Sequence, residues 1–349
     1  MKKIVLLLSV FFVFNIGWAQ EEEEEDSSAV HWMTFEEVNQ LFYKKQKPIL
    51  IWVYSQNCDS CWMMQYETFN NTEVADYINK LFYPIKFDIQ SNDTIKFFNN
   101  MQFTHLPGKE YHQLAYLLLG KQIKVPALVM FNKYAKGSVF YGYKDRDHIF
   151  PLLVYYNEEV YLSTPYEQFE KLYFKTYPPG VPQVISRLFV HWQDIADVDS
   201  LMKKQPKKIL IDVYNRYSVS QTIMRLQTYN NPLIASYLNK HFYVVNLEAN
   251  DARTFYFNGE KYRKSLRYPY NELAISLLGG NMKFPAFVIL DENYKLLTKE
   301  QVFLPPEKFY PIAKYFGDDA YKTEKFEEFL KSHKSELDSI NVKLQKYYK

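Results

Sequence analysis

Pro48-Ile49-Leu50-Ile51-Trp52-Val53-Tyr54-Ser55-Gln56-Asn57-Cys58-Asp59-Ser60-Cys61-Trp62-Met63-Met64 decides how the chain is read. Its first part, Pro48–Ser55, is an unbroken apolar and aromatic run. That is the pattern of a strand buried on both faces, at the centre of a helix-covered sheet. Its second part opens a helix, with Asn57 as the capping residue and the helix running from Cys58 to about Phe69. Cys58 then stands where backbone N–H groups are free and the helix dipole is positive, which favours a thiolate. Cys61 follows three residues later, on the same side and one turn deeper, within reach for a disulfide. A pair so placed can exchange with a disulfide of another protein through a mixed disulfide.

Two other readings of the pair stay open at this point. A structural staple across four residues stabilises by only ~2 kcal/mol, against ~4.7 for a loop of 100. A zinc half-site needs two further ligands, and the first half offers only His31, His105, His112 and His148 at scattered positions. His112 falls in an expected helix, Tyr111–Leu119, and reads as a surface or capping residue.

Working outward, the chain proves to be written twice. At an offset of 160, His31-Trp32 returns as His191-Trp192 and Ile49-Leu50-Ile51 as Ile209-Leu210-Ile211. Asn70-Asn71 returns as Asn230-Asn231, and Asn79-Lys80 as Asn239-Lys240. One residue drops out later, so Leu114-Ala115 matches Leu273-Ala274 and Pro126-Ala127 matches Pro285-Ala286. The period is domain-sized rather than the 20–50 residues of a solenoid. The stretch Tyr177-Pro178-Pro179-Gly180-Val181-Pro182 is a stiff, non-helical joint between the copies. Each copy alternates strands and helices and carries a hairpin, Thr94–Phe98 with Met101–Thr104 and its counterpart Thr254–Phe257 with Glu260–Arg263. Asn258-Gly259 is a type I′ turn signal for the second. The charged stretch Tyr321–Lys349 has apolar residues at helical spacing and reads as one or two amphipathic helices.

The start of the chain carries Lys2-Lys3, an apolar run Ile4–Trp18 and Ala19 before Gln20, the layout of a secretory signal peptide. Fifteen residues from Ile4 to Trp18 fall short of the ~20 that span a bilayer. Cleavage is expected near Ala19. Glu21 to Asp26 are six consecutive acids, a self-repelling solvated leader. Export sends the chain to a periplasmic or otherwise extracytoplasmic compartment, where disulfides persist. The expected organisation is signal peptide 1–19, acidic leader 20–28, a first domain 29–176, a linker 177–188, and a second domain with C-terminal helices 189–349.

Composition narrows the function. The 349 residues exceed one ordinary domain core. A net charge of +2 is too near zero for a nucleic-acid binder. With two cysteines in all, neither a disulfide framework nor a four-thiolate zinc site can be built. No G-x-G-x-x-G fingerprint marks a flavin or nicotinamide site. No metal and no cofactor beyond the dithiol itself are therefore expected.

The buried strand, the Cys-x-x-Cys at a helix start and Val125-Pro126 before a later strand together resemble the thioredoxin superfamily. Met64 extends this to the Cys-x-x-Cys-x-x-Met run of exported thioredoxin-like proteins. The likeness covers residues 31–156 and 191–316. It implies an α/β fold of two tandem thioredoxin-like domains, each a central mixed sheet flanked by helices, with an extra hairpin and C-terminal helices. It also implies that Pro126 is cis and sits beside the dithiol, where Val125 and Pro126 meet an extended substrate segment. Two departures stand out. The family's frequent carboxylate six residues before the first cysteine is Trp52 here, and Asp212 in the second copy. Ser218-Val219-Ser220-Gln221 replaces Cys-x-x-Cys in that copy, which therefore cannot cycle.

The function expected is an exported thiol–disulfide oxidoreductase, on the reductase or isomerase side, with Cys58 attacking and Cys61 resolving. Trp62 and Tyr54 are candidates for substrate contact, with plain packing as their alternative. Asp59 beside Cys58 opposes its thiolate, which favours the disulfide and a lower reduction potential. Partners would be proteins bearing disulfides or thiols, and a membrane or periplasmic redox donor. The competing reading is a non-catalytic binding or assembly scaffold.

Overall fold

Tyr54 and Tyr214 end two strands that organise the two halves of the chain, and each strand lies inside its own sheet. The computed structural model describes residues 29–98, 101–181 and 188–346. The signal peptide, the acidic leader, the turn at 99–100 and positions 182–187 of the linker lie outside the described residues. In the first half, β1 (Ile49–Tyr54) pairs parallel with β2 (Tyr83–Asp88) and antiparallel with β5 (Ala127–Phe131). β6 (Gly137–Tyr141) completes the order β2-β1-β5-β6. The hairpin β3 (Ile95–Phe97) and β4 (Met101–Phe103) forms a separate two-stranded sheet.

The second half repeats this arrangement down to the register. β8 (Lys208–Tyr214) pairs with β9 (Phe242–Glu248) and β12 (Ala286–Leu290), and β13 (Leu296–Glu300) lies outside β12. Ile49 faces Tyr83 in one half, and Ile209 faces Tyr243 in the other. A fifth strand, β7 (Trp192–Asp194), joins beside β9; the first half keeps only a single bridge there, Met33 to Ile85. Mixed sheets flanked by helices, with this order and connectivity, make the fold thioredoxin-like in each half.

Several helices start where a side chain takes up their free N–H groups. Thr34 and Glu37 form the expected capping box on α1 (Phe35–Phe42). Asn71 caps α3 (Thr72–Leu81), and Asn231 caps the equivalent helix Pro232–His241. The repeated Asn79 and Asn239 pin the entering chain in both halves. Each accepts from the backbone N–H of His31 or His191 at 2.8 or 2.9 Å and donates to the carbonyl of Ala29 or Phe189 at 3.0 or 2.8 Å. The hairpin β10 (Phe255–Phe257) and β11 (Glu260–Tyr262) turns through Asn258 and Gly259, both at positive φ, as a type I′ turn requires. Asp199 holds that turn by accepting from both their N–H groups.

His112 is a capping residue but not a surface one: it is wholly buried. The helix after it, α4, spans Gln113–Leu119, starting two residues later than expected because His112 itself is the cap. Its Nδ1 accepts from Leu114 N–H at 3.2 Å, which places the proton on Nε2, 3.0 Å from the carbonyl of Asp93. Asn271, its counterpart, does the same with Oδ1 to Leu273 N–H at 3.0 Å and Nδ2 to the carbonyls of Asp251 and Arg253. Neutral imidazole thus substitutes for an amide, acceptor for acceptor and donor for donor.

The helices that follow β6, α5 (Arg146–Asn157) and α6 (Tyr166–Thr176), face the second half. One apolar core runs without interruption from Trp52, Phe69 and Phe169 to Phe303, Phe309 and Phe329. At the end of the chain α12 (Phe326–Ser332) and α13 (Lys334–Lys346) bury Phe329, Leu337 and Leu344 against α11 (Pro306–Gly317). Among the described residues no helix is long and apolar enough to cross a membrane.

Burial lowers the pKa of His112 below its ordinary value. The folded state therefore prefers the neutral ring, so its contribution is intact above about pH 6.5 and declines as pH falls below that value. His112→Asn should keep both bonds and remove this acid sensitivity. His112→Ala should cost about 1–3 kcal/mol through the lost cap and the unpaired Asp93 carbonyl. Denaturant midpoints of the three proteins at pH 5 and 8 measure both effects.

Candidate functional site

The helix after β1 is built to present one sulfur and hide the other. α2 (Asp59–Met64) continues without a break through a wider turn, Gln65–Phe69. Cys61, Met64, Gln65, Thr68 and Phe69 point into the core, while Trp62, Met63, Tyr66 and Glu67 face outward. The N-cap is Cys58 itself, not Asn57: its Sγ accepts from Cys61 N–H at 3.1 Å. Asn57 is exposed and its own N–H reaches back to Ser55 Oγ, so the helix begins one residue later than Asn57 would set it.

Cys58 and Cys61 form a disulfide, S–S 2.06 Å, with Cα atoms 5.2 Å apart. Cys61 is 1 % exposed, while Cys58 is half-buried, so the sulfur open to attack from outside is that of Cys58. Ser60 Oγ lies 3.5 Å from Cys58 Sγ. Asp59 is exposed, so its charge acts on Cys58 mostly through solvent, where such effects are small. Trp62 is 49 % exposed, donates from its indole to the carbonyl of Gln56 at 2.9 Å, and stacks on Tyr66. With Met63 these rings make an apolar rim beside the disulfide. Tyr54 is partly buried and packs against the core, stacked on Trp52.

Val125–Pro126 is a cis peptide bond, as is Phe284–Pro285 in the second half. Val125 is half-buried and Pro126 buried. Val53 pairs with Ala127, so the residues leading from β1 to Cys58 and the Val125–Pro126 pair leading into β5 lie at the same end of the sheet.

The counterpart site of the second half is closed. Ser218 occupies the position of Cys58 and caps α8 (Val219–Ile223) through Gln221 N–H. Gln221 stands at the position of Cys61, wholly buried; its amide donates to Asp212 and accepts from Ala286 N–H, next to the cis proline. Asp212 is itself fully buried, and Arg225 Nε lies 3.3 Å from its second oxygen. Burial pushes the Asp212 carboxyl up to about 7, against the opposing pull of Arg225 and Gln221. The Arg225 guanidinium lies over Trp192 at 4.9 Å and over Tyr214 at 4.6 Å.

In the first half the same space is filled differently. Trp52 takes the place of Asp212, and Gln65 that of Arg225. The Trp52 indole lies against Trp32 at 5.6 Å and stacks on Tyr54 at 4.7 Å, the rings equivalent to those that hold Arg225. One large aromatic therefore occupies the volume of an ion pair, and no carboxylate stands behind Cys61. The departure at position 52 is visible in sequence, but its partner at 65 shows only when both columns of the repeat are read together. Among the described residues no three His, Cys, Asp or Glu side chains gather as a metal site.

The family described as "Thioredox_DsbH: Protein of unknown function, DUF255" matches residues 22–111, about a quarter of the chain and the part that holds the disulfide. No curated protein matches. Among solved structures, a thioredoxin-fold protein from Helicobacter pylori is 14% identical, with 48% of this chain and 99% of that one covered and a TM-score of 0.32. A structure described as "DsbH Oxidoreductase" is 15% identical over 36% of this chain and 81% of that one, TM-score 0.25. The oxidised C-terminal domain of DsbD from Neisseria meningitidis is 18% identical over 37% and 97%, TM-score 0.25.

The raised Asp212 pKa gives a signed prediction. Because the folded value exceeds the ordinary 3.8, the contribution of this group is intact below about pH 4 and is lost as pH rises toward about 7. A shift of that size corresponds to ~4 kcal/mol. Asp212→Asn should flatten this part of the profile, seen as a smaller difference between unfolding free energies at pH 4.5 and 7.5.

Proposed function

We propose that the chain is an exported thiol–disulfide oxidoreductase acting on protein substrates, built as two tandem domains (29–176 and 189–349) of which only the first cycles. The observation that carries this reading is the split between the two sulfurs: Cys58 reachable at a helix start, Cys61 buried one turn behind it. A buried resolving thiol behind an accessible attacking one is the order that mixed-disulfide exchange needs.

Starting from the dithiol, the Cys58 thiolate attacks one sulfur of a substrate disulfide and expels the other as a thiolate. The Cys61 thiol then loses its proton and attacks Cys58 Sγ, which re-forms the Cys58–Cys61 disulfide and releases the second substrate thiol. Two electrons and two protons return from an external donor, for which a membrane or periplasmic redox protein is the natural class. Val125, Pro126 and the rim residue Trp62 are the groups assigned to substrate contact. The leader peptide reading supports export, and export supports a compartment in which such exchange has substrates. A binding scaffold is the second reading, and the closed Ser218–Gln221 site favours it for the second half alone.

Cys61→Ala should accumulate mixed disulfides with exported proteins, separable on non-reducing gels and released by dithiothreitol. Cys58→Ser should trap nothing and reduce insulin no faster than the uncatalysed reaction. Full biological function in a variant carrying both Cys58→Ser and Cys61→Ser would establish the scaffold instead. For the direction of exchange, the full chain should equilibrate well below ~−120 mV, the potential of a strong oxidase; a value there would reverse the assignment to the reducing side.

A further inference from the structure

Glu158, directly after α5, belongs to the first half, yet all of its acid-binding partners belong to the second. Its Oε1 accepts from Val219 N–H at 2.9 Å. Its Oε2 accepts from Ser218 Oγ at 2.8 Å, from Ser220 N–H at 2.9 Å and from Ser220 Oγ. These groups are the repeat's counterparts of Cys58, Asp59 and Ser60, so the carboxylate lies where a substrate would approach in a working domain. The helix it meets runs on unbroken from Val219–Ile223 into the turn Met224–Tyr229. Burial raises the Glu158 pKa, and the two serines and two backbone N–H groups oppose that rise.

The contact runs one way. Asp318, the residue one repeat after Glu158, bonds Tyr237 and Lys314 within its own half. Around Glu158 the halves touch through polar and apolar groups alike. Glu159 bridges Lys133 of the first half and Lys283 of the second. Ser163 bonds the Phe303 carbonyl, and the rings of Phe169 and Phe303 meet edge to face at 5.4 Å.

We propose that the second half's counterpart of the dithiol site is a carboxylate socket filled in cis by Glu158, and that this contact fixes the two halves as one body. The socket is then unavailable to outside peptides, and the second half serves to hold the first rather than to receive a substrate of its own. This assignment is independent of the exchange chemistry of Cys58.

The test uses the full chain and limited chymotryptic cleavage after Phe303, a wholly buried loop residue that packs on Phe169 of the other half, so that the rate tracks the population in which the halves have separated. Glu158→Ala should speed cleavage by ~10-fold or more, with Glu158→Gln intermediate because it keeps one acceptor. Added sodium acetate, which can enter the emptied socket, should slow cleavage of Glu158→Ala but not of the wild type, with sodium chloride at the same ionic strength as the control. Should Glu158→Ala fail to fold, Ser220→Ala removes one hydroxyl donor, leaves the carboxylate in place and should still cut several-fold faster than wild type. A Glu158→Ala rate within about twofold of wild type, acetate no better than chloride, or a wild-type rate for Ser220→Ala overturns the proposal.

Discussion

The first turn of a helix leaves backbone N–H groups without partners, and the end of each central strand is where this chain must satisfy them. Both halves deliver the backbone to that point by the same register of parallel and antiparallel pairing. What differs is the acceptor. In the first half it is the sulfur of Cys58, taking the N–H of Cys61. In the second it is the Ser218 hydroxyl together with a carboxylate supplied from across the molecule. The two answers have different consequences. Sulfur at the cap stays reachable and leaves room for a partner, whereas hydroxyl and carboxylate satisfy every donor and leave none to offer.

The layer behind that helix shows the same divergence. Asp212 with Arg225 is a buried acid and its cation, framed by Trp192 and Tyr214. Trp52 with Gln65 fills an equivalent space with an indole framed by Trp32 and Tyr54. The two positions differ together between the halves, Asp212 with Arg225 in one and Trp52 with Gln65 in the other. The outcome is that the half retaining its cysteines has an aromatic floor behind them, and the half without cysteines has kept the acid. Where the second half has the Asp212 carboxylate as a proton acceptor behind its helix, the first half has the Trp52 indole, which cannot take a proton.

Much of the architecture was legible because it rests on local patterns. The unbroken apolar run at β1, the asparagines that cap the helix after the exchange turn in each half, and Asn258-Gly259 at the hairpin each specify their element within a few residues. The repeat itself made the rest cumulative, since a weak signal in one copy was checked by the other. The legible part ended where a residue's role depended on chain far away. His112 reads as a surface or capping residue, and its cap role holds while its burial does not show, because nothing local says that the Asp93 carbonyl waits for its second nitrogen. Reading it beside Asn271 would have shown the shared demand for one acceptor and one donor. Glu158 gave no signal at all: it follows an ordinary helix end, and its donors lie sixty residues on.

The contact made over that distance joins the two halves. An isolated copy has to satisfy the helix end with its own groups or with water, and α5 and α6 of the first half would leave apolar rings uncovered. Joined, the halves share one continuous core, and the polar seam at Glu158, Glu159 and Ser163 sets where along that core they meet. Apolar contact alone is non-directional and would tolerate sliding. A carboxylate held by two hydroxyls and two backbone N–H groups tolerates very little, because a displacement of an ångström or so leaves buried donors unpaired. The absence of cysteines in the second half and the contact it makes with Glu158 thus fall on the same turn, Ser218–Gln221.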